Sequence, residues 1–392
     1  MRIRGCCVSA LARTRRFRPP QSCDLHSLCS ASQSLLNEWL TAPFYPGHRR
    51  PIQCKWLAAS GPDLKQPHRK FSGSKNSSIA RLYSASMSLT VHLLGTSASR
   101  PTVERNVASL AIHREGETLM FDCGEGTQRQ MMRYGISFAL QDIFFTHMHA
   151  DHLLGVVGLI RTMALQGRAE PLRLWGPKGT ARVLKRVEGL GFERATFPME
   201  ILEVDDGQRI DRAGYSIHAF AVDHRGALSL GFAIVEEERK GRFNPDKARE
   251  FGIPEGPLWG RLHRGISVTL DDGRTVESSE LVGAKRSGRT VVITGDTRPC
   301  AATIEASQGA DLLIHEATFG DEESERAIET GHSTAREAGQ IACEAGVRRL
   351  VLTHFSARYS RDASDLEEQA RSVFPNTVIG KDGMELDVPF RD

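Results

Sequence analysis

Four side chains of the types that bind metal ions occur within six positions, in the segment HMHADH. The segment follows a nearly all-apolar run, Asp142–Thr146, which predicts a strand buried on both faces, and it precedes a predicted helix. Because residues two apart in a strand point to the same side, His147 and His149 would face one point, and Asp151 and His152 a second point nearby. Imidazole and carboxylate groups without a thiolate are typical of catalytic rather than structural zinc sites. Four solvated loop residues are the alternative, which this density of ligand types at a strand end disfavours.

Three further polar residues stand directly after predicted strands. His224 ends an alternating apolar strand, Asp296 follows the strand Thr290–Thr294, and His354 follows the strand Leu350–Thr353. Loops at strand ends often carry functional residues. Each residue taken alone is equally compatible with an ordinary surface position, and an aspartate here could simply cap a helix. The residues by themselves leave both interpretations open.

The segment HMHADH resembles the HxHxDH signature of the metallo-β-lactamase superfamily. This resemblance implies two zinc ions per subunit, the first held by His147, His149 and His224, the second by Asp151, His152 and His354, with Asp296 bridging them. Such ligands also accept manganese or iron, so the metal in the cell stays open. Asp122 could orient a ligand histidine or cap the following helix. The remaining histidines considered are interpreted as structural or surface residues: His113, His218 and His263.

Further segments resemble one family within that superfamily, ribonuclease Z in its short bacterial-type form, the endoribonuclease that processes the 3′ end of tRNA. They are GTSASRPTVERNVAS (95–109), FDCGEGTQRQMMR (121–133), HEATF (315–319) with GHSTAREA (331–338), and LTHFSARYSRDASDL (352–366). The resemblance covers essentially the whole chain after Met87.

The resemblance implies a zinc-dependent endoribonuclease that removes the 3′ trailer from precursor tRNA, leaving a 3′-OH on the tRNA and a 5′-phosphate on the trailer. Asp151 would be both ligand and proton acceptor. His332 would protonate the departing oxygen, with Glu316 orienting it. The residues alone would favour a helix-start role for His332 beside the cap formed by Thr334, and the family resemblance reverses that interpretation.

A long irregular stretch between two predicted strands, residues 236–265, exceeds ordinary loop lengths and is therefore expected to be functional or mobile. Between Arg239 and Gly265 it holds seven Lys/Arg and three acidic residues. It resembles the flexible arm with which ribonuclease Z holds the tRNA elbow, in a homodimer whose one arm serves the other subunit. A solvated surface helix with a loop is the alternative. The candidate tRNA contacts are Arg239, Lys240, Arg242, Lys247, Arg249, Gly256 and Pro257.

Charge is distributed unevenly along the 392 residues. Residues 1–86 hold 14 of the 51 Lys/Arg and three of the 48 acidic residues, so the remaining 37 basic and 45 acidic residues give the body a net charge of −8. Attraction to RNA must therefore come from local basic patches.

The leader, residues 1–86, is rich in Arg, Ser and Pro. It is either a mitochondrial or plastid transit peptide or a misassigned start before Met87, in which case the enzyme is cytoplasmic. The three body cysteines are widely spaced, which argues against disulfides or a thiolate zinc site.

The body alternates strands and helices in two successive series, which predicts an α/β fold. We expect a four-layer αββα metallo-β-lactamase sandwich, residues 87–392, with a protruding flexible arm, although periodicity alone does not exclude a doubly wound sheet. A capping box at Thr334 and Glu337 predicts the start of one helix. Residues 377–388 with Asp382-Gly383 predict a terminal hairpin. No apolar run is long enough to span a bilayer, so we expect a soluble protein without a membrane partner.

Two rival functions remain at this point. A superfamily hydrolase acting on a small ester would share the metal ligands, because the same metal chemistry suits many substrates. A non-catalytic RNA-binding module on the same fold is disfavoured by the complete set of seven ligands.

Overall fold

The computed structural model describes residues 88–188, 190 and 196–391. The predicted leader, residues 1–86, lies outside the described residues.

Two seven-stranded sheets form the centre of the body. The strands of the first sheet are β1 (Leu89–Gly95), β2 (Ser109–Arg114), β3 (Glu117–Phe121), β4 (Asp142–Phe144), β5 (Leu172–Pro177), β6 (Met199–Val204) and β16 (Glu385–Asp387). Those of the second are β7 (Arg209–Arg212), β8 (Tyr215–Ala221), β9 (Leu230–Glu236), β12 (Thr290–Ile293), β13 (Leu312–Glu316), β14 (Leu350–Thr353) and β15 (Thr377–Ile379). The first sheet has the strand order β16-β1-β2-β3-β4-β5-β6 and the second the order β15-β14-β13-β12-β9-β8-β7.

Each sheet has a parallel part, and these parts position the polar strand ends. Strands β3 to β6 are parallel in the first sheet, and β12 to β15 are parallel in the second. Strand β8 runs antiparallel to β9, which runs antiparallel to β12, so β8 has the same direction as β12. The carboxyl ends of β8, β12, β13 and β14 therefore share one edge of the second sheet.

Helices cover the outer faces of the two sheets. They are α1 (Thr127–Tyr134), α2 (Ala150–Leu153), α3 (Gly155–Leu165), α4 (Thr180–Glu188), α8 (Ala301–Ala306), α10 (Ala335–Glu344) and α11 (Ser364–Arg371). A further helix, α9 (Ser324–Thr330), lies between β13 and α10 in the chain. Three apolar clusters separate the layers. One lies between the sheets, around Phe121, Phe144 and Phe232; the others lie under α1 and α3, and under α10 and α11. Four layers with three apolar interfaces confirm the predicted αββα sandwich.

The chain between β9 and β12 forms a small folded unit. It contains α5 (Pro245–Glu250), α6 (Pro257–His263), the hairpin β10 (Val268–Thr269) and β11 (Thr275–Val276), and α7 (Ser278–Leu281). These elements bury an apolar cluster of their own: Ala248, Ile253, Leu262, Val268, Val276 and Leu281. The insertion thus runs over residues 237–289, and the predicted arm at 236–265 includes only its first half. The part expected to be irregular contains two helices.

The predicted strands Asp142–Thr146, Thr290–Thr294 and Leu350–Thr353 are observed as β4, β12 and β14, within two residues of the predicted bounds, and the capping box of Thr334 and Glu337 is present. The helix predicted after the segment HMHADH is divided into α2 and α3. Gly155 begins α3 so close to the turn after β3 that an added Cβ would lie 1.9 Å from the Gly124 carbonyl oxygen. Any larger side chain would push the helix away from that turn.

The prediction of a terminal hairpin is wrong. Strand β15 pairs with β14 in the second sheet, whereas β16 pairs with β1 in the first. The residues between them cross from one sheet to the other, since the Gly380 N–H donates to the Leu352 carbonyl at 2.8 Å and the Gly383 N–H to the Leu93 carbonyl at 2.7 Å. The Asp-Gly pair predicts a turn from the local sequence alone. It gives no information about which other strands β15 and β16 pair with.

Among the helices of the described residues, none is both long and apolar enough to cross a membrane.

Candidate metal centre and catalytic site

The predicted ligands lie directly after the carboxyl ends of strands from both sheets. Strand β4 leads to His147, β8 to His224, β12 to Asp296 and β14 to His354. Residues of both sheets thus meet at one end of the sandwich.

The first group of ligand atoms comprises His147, His149, His224 and Asp296, which lie within 4.8 Å of one another. The Nε2 atom of His224 is 3.3 Å from Nδ1 of His149. Asp296 Oδ2 lies 3.6 Å from His147 Nε2 and 3.9 Å from His224 Nε2. These separations suit nitrogen and oxygen atoms arranged around a common cation.

The second group comprises Asp151, His152 and His354. The Nε2 atom of His354 lies 3.4 Å from Asp151 Oδ2 and 3.3 Å from His152 Nε2. Asp296 reaches this group through its other oxygen, since Oδ1 is 3.3 Å from His152 Nε2 and 3.2 Å from His354 Nε2. The two carboxylate oxygens of Asp296 therefore face different groups, as expected of a bridging ligand.

The donors of this cluster fit metal ions better than they fit one another. His147 Nε2 and Asp296 Oδ1 are buried without a hydrogen-bond partner in the described part of the chain, and buried polar atoms rarely stay unpaired. Burial and the neighbouring His152 hold the pKa of His147 well below its usual value, which keeps its imidazole neutral as a metal ligand requires. Burial and His224 likewise lower the pKa of His149. The neutral imidazoles of His147 and His149, close to the buried carboxylate of Asp296, suit the binding of a metal ion.

Side chains behind the ligands hold several of the imidazole rings by their second nitrogen. The Nδ1–H of His152 donates to Asp122 Oδ2 at 2.8 Å, and Asp122 also accepts the Thr146 N–H and hydroxyl. Nδ1 of His354 lies 2.9 Å from the Thr318 hydroxyl, and Nδ1 of His224 lies 2.8 Å from the Gly331 carbonyl. Contacts of this kind fix the orientation and tautomer of a ligand histidine.

These contacts show that Asp122 orients the ligand histidine His152 and does not cap the following helix. Helix α1 has Gly126, not Asp122, at its N-cap position. Asp122 instead has a φ of 56°, and the ligand His354 has a φ of 58°. Left-handed backbone at non-glycine residues is costly and tends to occur at functional sites. The sequence motifs did not indicate the roles of Thr146 and Thr318. For Thr146, its position between an apolar strand and the first ligand was the available signal.

His332 lies beside the cluster and is held by Glu316. Its Nδ1–H donates to Glu316 Oε1 at 2.9 Å, and Glu316 also accepts the Thr297 N–H and the Thr318 hydroxyl. Burial would lower the pKa of His332, but the adjacent carboxylate of Glu316 outweighs it and raises the pKa to about 9. His332 is also near enough to Asp296 and His354 to complete a third set of candidate ligands. The structure thus brings together His332, Glu316 and all seven predicted metal ligands.

The predicted tRNA contacts all belong to the insertion and have different surroundings. The guanidinium of Arg239 lies 3.4 Å from the ring centroid of Phe390, near the end of the chain. Lys240 Nζ reaches the Arg264 carbonyl at 3.4 Å, and Arg242 is exposed. Gly256 and Pro257 begin α6, with Gly256 at a φ of 137° that favours glycine. The surroundings of Arg239 indicate a structural contact with the body more than an open RNA-binding position.

The remaining two candidates, Lys247 and Arg249, both lie in α5. Arg249 forms ion pairs with Asp246 at 2.6 Å and Glu255 at 2.9 Å. Lys247 Nζ lies 5.6 Å from the centroid of the Phe251 ring. The two cations therefore differ in how far neighbouring carboxylates already balance them.

Comparison with known proteins assigns the chain to a family. A model of the beta-lactamase superfamily domain matches residues 117–285 and 271–355. Ribonuclease Z of Gemmatimonas aurantiaca is 68% identical over 303 residues, which are 77% of this chain and 96% of that protein. The chain belongs to the ribonuclease Z family. Ribonuclease Z of Myxococcus xanthus is 52% identical over 305 residues, 78% of this chain and 99% of that protein.

A solved structure agrees with this assignment to the ribonuclease Z family. The crystal structure of human tRNase Z, short form, is 27% identical and has a TM-score of 0.56, covering 77% of this chain and 100% of that one. The family and the metallo-β-lactamase fold that the sequence motifs predicted are therefore confirmed.

Proposed function

We propose that this chain is a zinc-dependent endoribonuclease that removes the 3′ trailer from precursor tRNA. A single observation carries the proposal. In this member of the ribonuclease Z family, Asp296 presents one carboxylate oxygen to each of two groups of ligand atoms. Two ions side by side suit the hydrolysis of a phosphodiester, because attacking and leaving oxygens both need stabilisation.

The residues fit two zinc ions per subunit. His147, His149 and His224 would hold one ion and Asp151, His152 and His354 the other, and Asp296 would contribute one oxygen to each group. When bound, the ions lower the pKa of water and stabilise the negative charge that develops on the phosphate oxygens.

The protein's own groups move the protons. Asp151 Oδ2 accepts the backbone N–H of Ser99 at 2.7 Å, which holds the carboxylate beside His354. Asp151 takes the proton of the attacking water. Because Nδ1 of His332 is occupied by Glu316, its Nε2 is the atom that protonates the departing 3′ oxygen. The products are a 3′-OH on the tRNA and a 5′-phosphate on the trailer.

The insertion supplies contacts to the tRNA away from the metal centre. Its basic side chains bind phosphates without reading sequence. In the proposed homodimer the insertion of one subunit holds the substrate cleaved by its partner.

The direct test is cleavage of a 3′-labelled precursor tRNA by the full chain, with end-mapping of the products, in the presence and absence of a chelator. The expected result is one metal-dependent cut after the last nucleotide of the tRNA body. If the chain hydrolyses a small phosphodiester in a metal-dependent way but leaves the precursor intact, the metal centre stands and the tRNA substrate is wrong.

A further inference from the structure

A cleft of about 480 Å³ opens beside His332. Three separate parts of the chain line it: the loop after β1, the segment between β13 and α10, and the turn after β14. The lining includes Ser99, Arg100, Phe319, Arg326, His332 and Arg358. Its volume lies within the range of roughly 300–1,000 Å³ that is typical of ligand-binding pockets.

The cleft concentrates positive charge on an otherwise acidic body. Three guanidinium groups line it although residues 87–392 carry a net charge of −8. Arg358 is neutralised by an ion pair with Glu323. For Arg100 and Arg326, both exposed, no ion pair with an acidic side chain exists within the described residues. Two guanidinium groups without anionic partners, contributed to the lining by different parts of the chain, suit an anionic ligand.

The lining also indicates which side of the scissile bond the cleft serves. It includes His332, the proposed proton donor to the leaving oxygen, but none of the seven proposed metal ligands, among them the proposed proton acceptor Asp151. In an in-line displacement the leaving oxygen and the attacking water lie on opposite sides of the phosphorus. A ribonucleotide in a cleft that opens at the proton donor is therefore the one whose 3′ oxygen departs.

We infer that this cleft binds the last nucleotide of the tRNA body, with Arg100 and Arg326 holding the phosphate on its 5′ side. The inference rests on the proposed function, because it takes His332 as the donor to the leaving oxygen. The guanidinium of Arg326 also lies 5.5 Å from the centroid of the Phe319 ring. Phe319 thus supports this arginine from beneath, which reduces the cost of ordering a long side chain on the ligand.

The closing experiment compares the full chain with the variants Arg100→Ala, Arg326→Ala and the double substitution on precursor tRNA over a series of salt concentrations. Arg348→Ala is the matched control, since Arg348 is an exposed arginine before β14, at the opposite end of that strand from His354. We expect KM to rise by roughly three- to tenfold per substitution, and the slope of log affinity against log salt to fall by about 0.7 per lost phosphate contact. The loss should be several-fold smaller on bis(p-nitrophenyl) phosphate, which has no neighbouring nucleotide.

Mature tRNA used as an inhibitor locates the contact. The double variant should weaken inhibition by mature tRNA by the same factor by which it raises KM for the precursor. If inhibition is unchanged while KM depends on trailer length, the cleft holds the trailer and the inference is overturned. It is also overturned if the variants match Arg348→Ala in KM and salt slope, or lose equal activity on both substrates. Failure of the unmodified chain to cleave precursor tRNA would instead refute the proposed function itself, and the inference with it.

Discussion

The metal centre and the insertion at residues 237–289 are built in opposite ways. The centre gathers ligands from His147 to His354, over more than half the chain, and five of the seven are buried. The insertion is one continuous segment that folds around its own small apolar cluster and leaves most of its charged side chains in solvent. A centre built this way depends on both sheets being correctly placed. A unit built like the insertion should be removable, with consequences confined to what it binds.

The largest effect is expected from Asp296→Ala. Because the two oxygens of Asp296 face the two ligand groups separately, one substitution removes a donor from both groups. We expect metal content to fall below half that of the unmodified chain and turnover to fall below detection, measured by elemental analysis and precursor cleavage. Asp211→Ala, at an exposed aspartate of β7, is the control. Retention of both metal content and turnover would mean that Asp296 does not bridge.

His332→Ala should reduce turnover by roughly 10²- to 10⁴-fold, the usual contribution of a general acid, while metal content stays unchanged. The reason is that His332 is fixed by Glu316 rather than placed among the first-group ligands. His113→Ala provides a matched control, since His113 lies in β2, where its Nδ1 is 3.1 Å from the Thr118 hydroxyl of the neighbouring strand β3. Loss of metal from His332→Ala would make His332 a ligand, as its proximity to Asp296 and His354 allows.

Sequence alone could predict the ligands of the centre, but not the full extent or the internal structure of the insertion, for a physical reason. Ligands such as His147 and His354 follow apolar strands whose burial pattern is visible in sequence, and parallel strands bring their carboxyl ends together. The insertion has few and short elements, and its helix at Pro257–His263 shows its apolar face only once the partner residues are known. The hairpin prediction was wrong for the same reason, because strand pairing depends on residues far away in the sequence. Strand β16 pairs with β1, which lies about 300 positions earlier in the chain.

The junction between the two regions depends on a buried ion pair. Glu236, at the end of β9, accepts hydrogen bonds from Arg289 at 2.6 Å and from Arg114 at 2.8 Å. Breaking a buried pair of this kind costs about 3 kcal/mol or more. Glu236→Gln should therefore lower the free energy of unfolding by roughly that amount, measured by denaturant titration. Glu238→Gln is the control, since Glu238 forms an exposed pair with Lys285, and surface pairs contribute at most about 1 kcal/mol.

The same junction gives a dependence on pH. Burial would raise the pKa of Glu236, but the hydrogen bonds and charge of Arg289 outweigh it and lower the pKa from its usual value of 4.5. A carboxyl group whose pKa is lower in the folded state stabilises the protein above its unfolded pKa, and this contribution is lost as the pH falls through the folded pKa. The stability difference between the unmodified chain and Glu236→Gln should therefore shrink below about pH 4.5. A constant difference down to strongly acidic pH would contradict this explanation.

Removal of the insertion should affect RNA binding alone. The backbones of Arg239 and Arg286 are paired by hydrogen bonds of 2.7 and 2.9 Å, so residues 240–285 can be replaced by a two-residue Asn-Gly turn. We expect KM for precursor tRNA to rise at least about tenfold, which corresponds to about 1.4 kcal/mol, with hydrolysis of bis(p-nitrophenyl) phosphate retained. An equal loss on both substrates would show that the insertion supports the centre and is not a separable unit.

The smallest effect separates two neighbouring cations of α5. Arg249 is balanced by Asp246 and Glu255, whereas Lys247 has no ion pair with an acidic side chain within the residues that the structure describes. Lys247→Ala should therefore raise KM for precursor tRNA by about two- to threefold and reduce the salt slope by about 0.9, the value for one duplex phosphate contact. Arg249→Ala should change both quantities less. Arg371→Ala, at an exposed arginine paired with Glu367 in α11, controls for the loss of a surface charge outside the insertion. A larger effect of Arg249→Ala would mean that Asp246 and Glu255 release Arg249 when RNA binds. In that case the ion pairs of the free insertion would not determine which side chains bind the substrate.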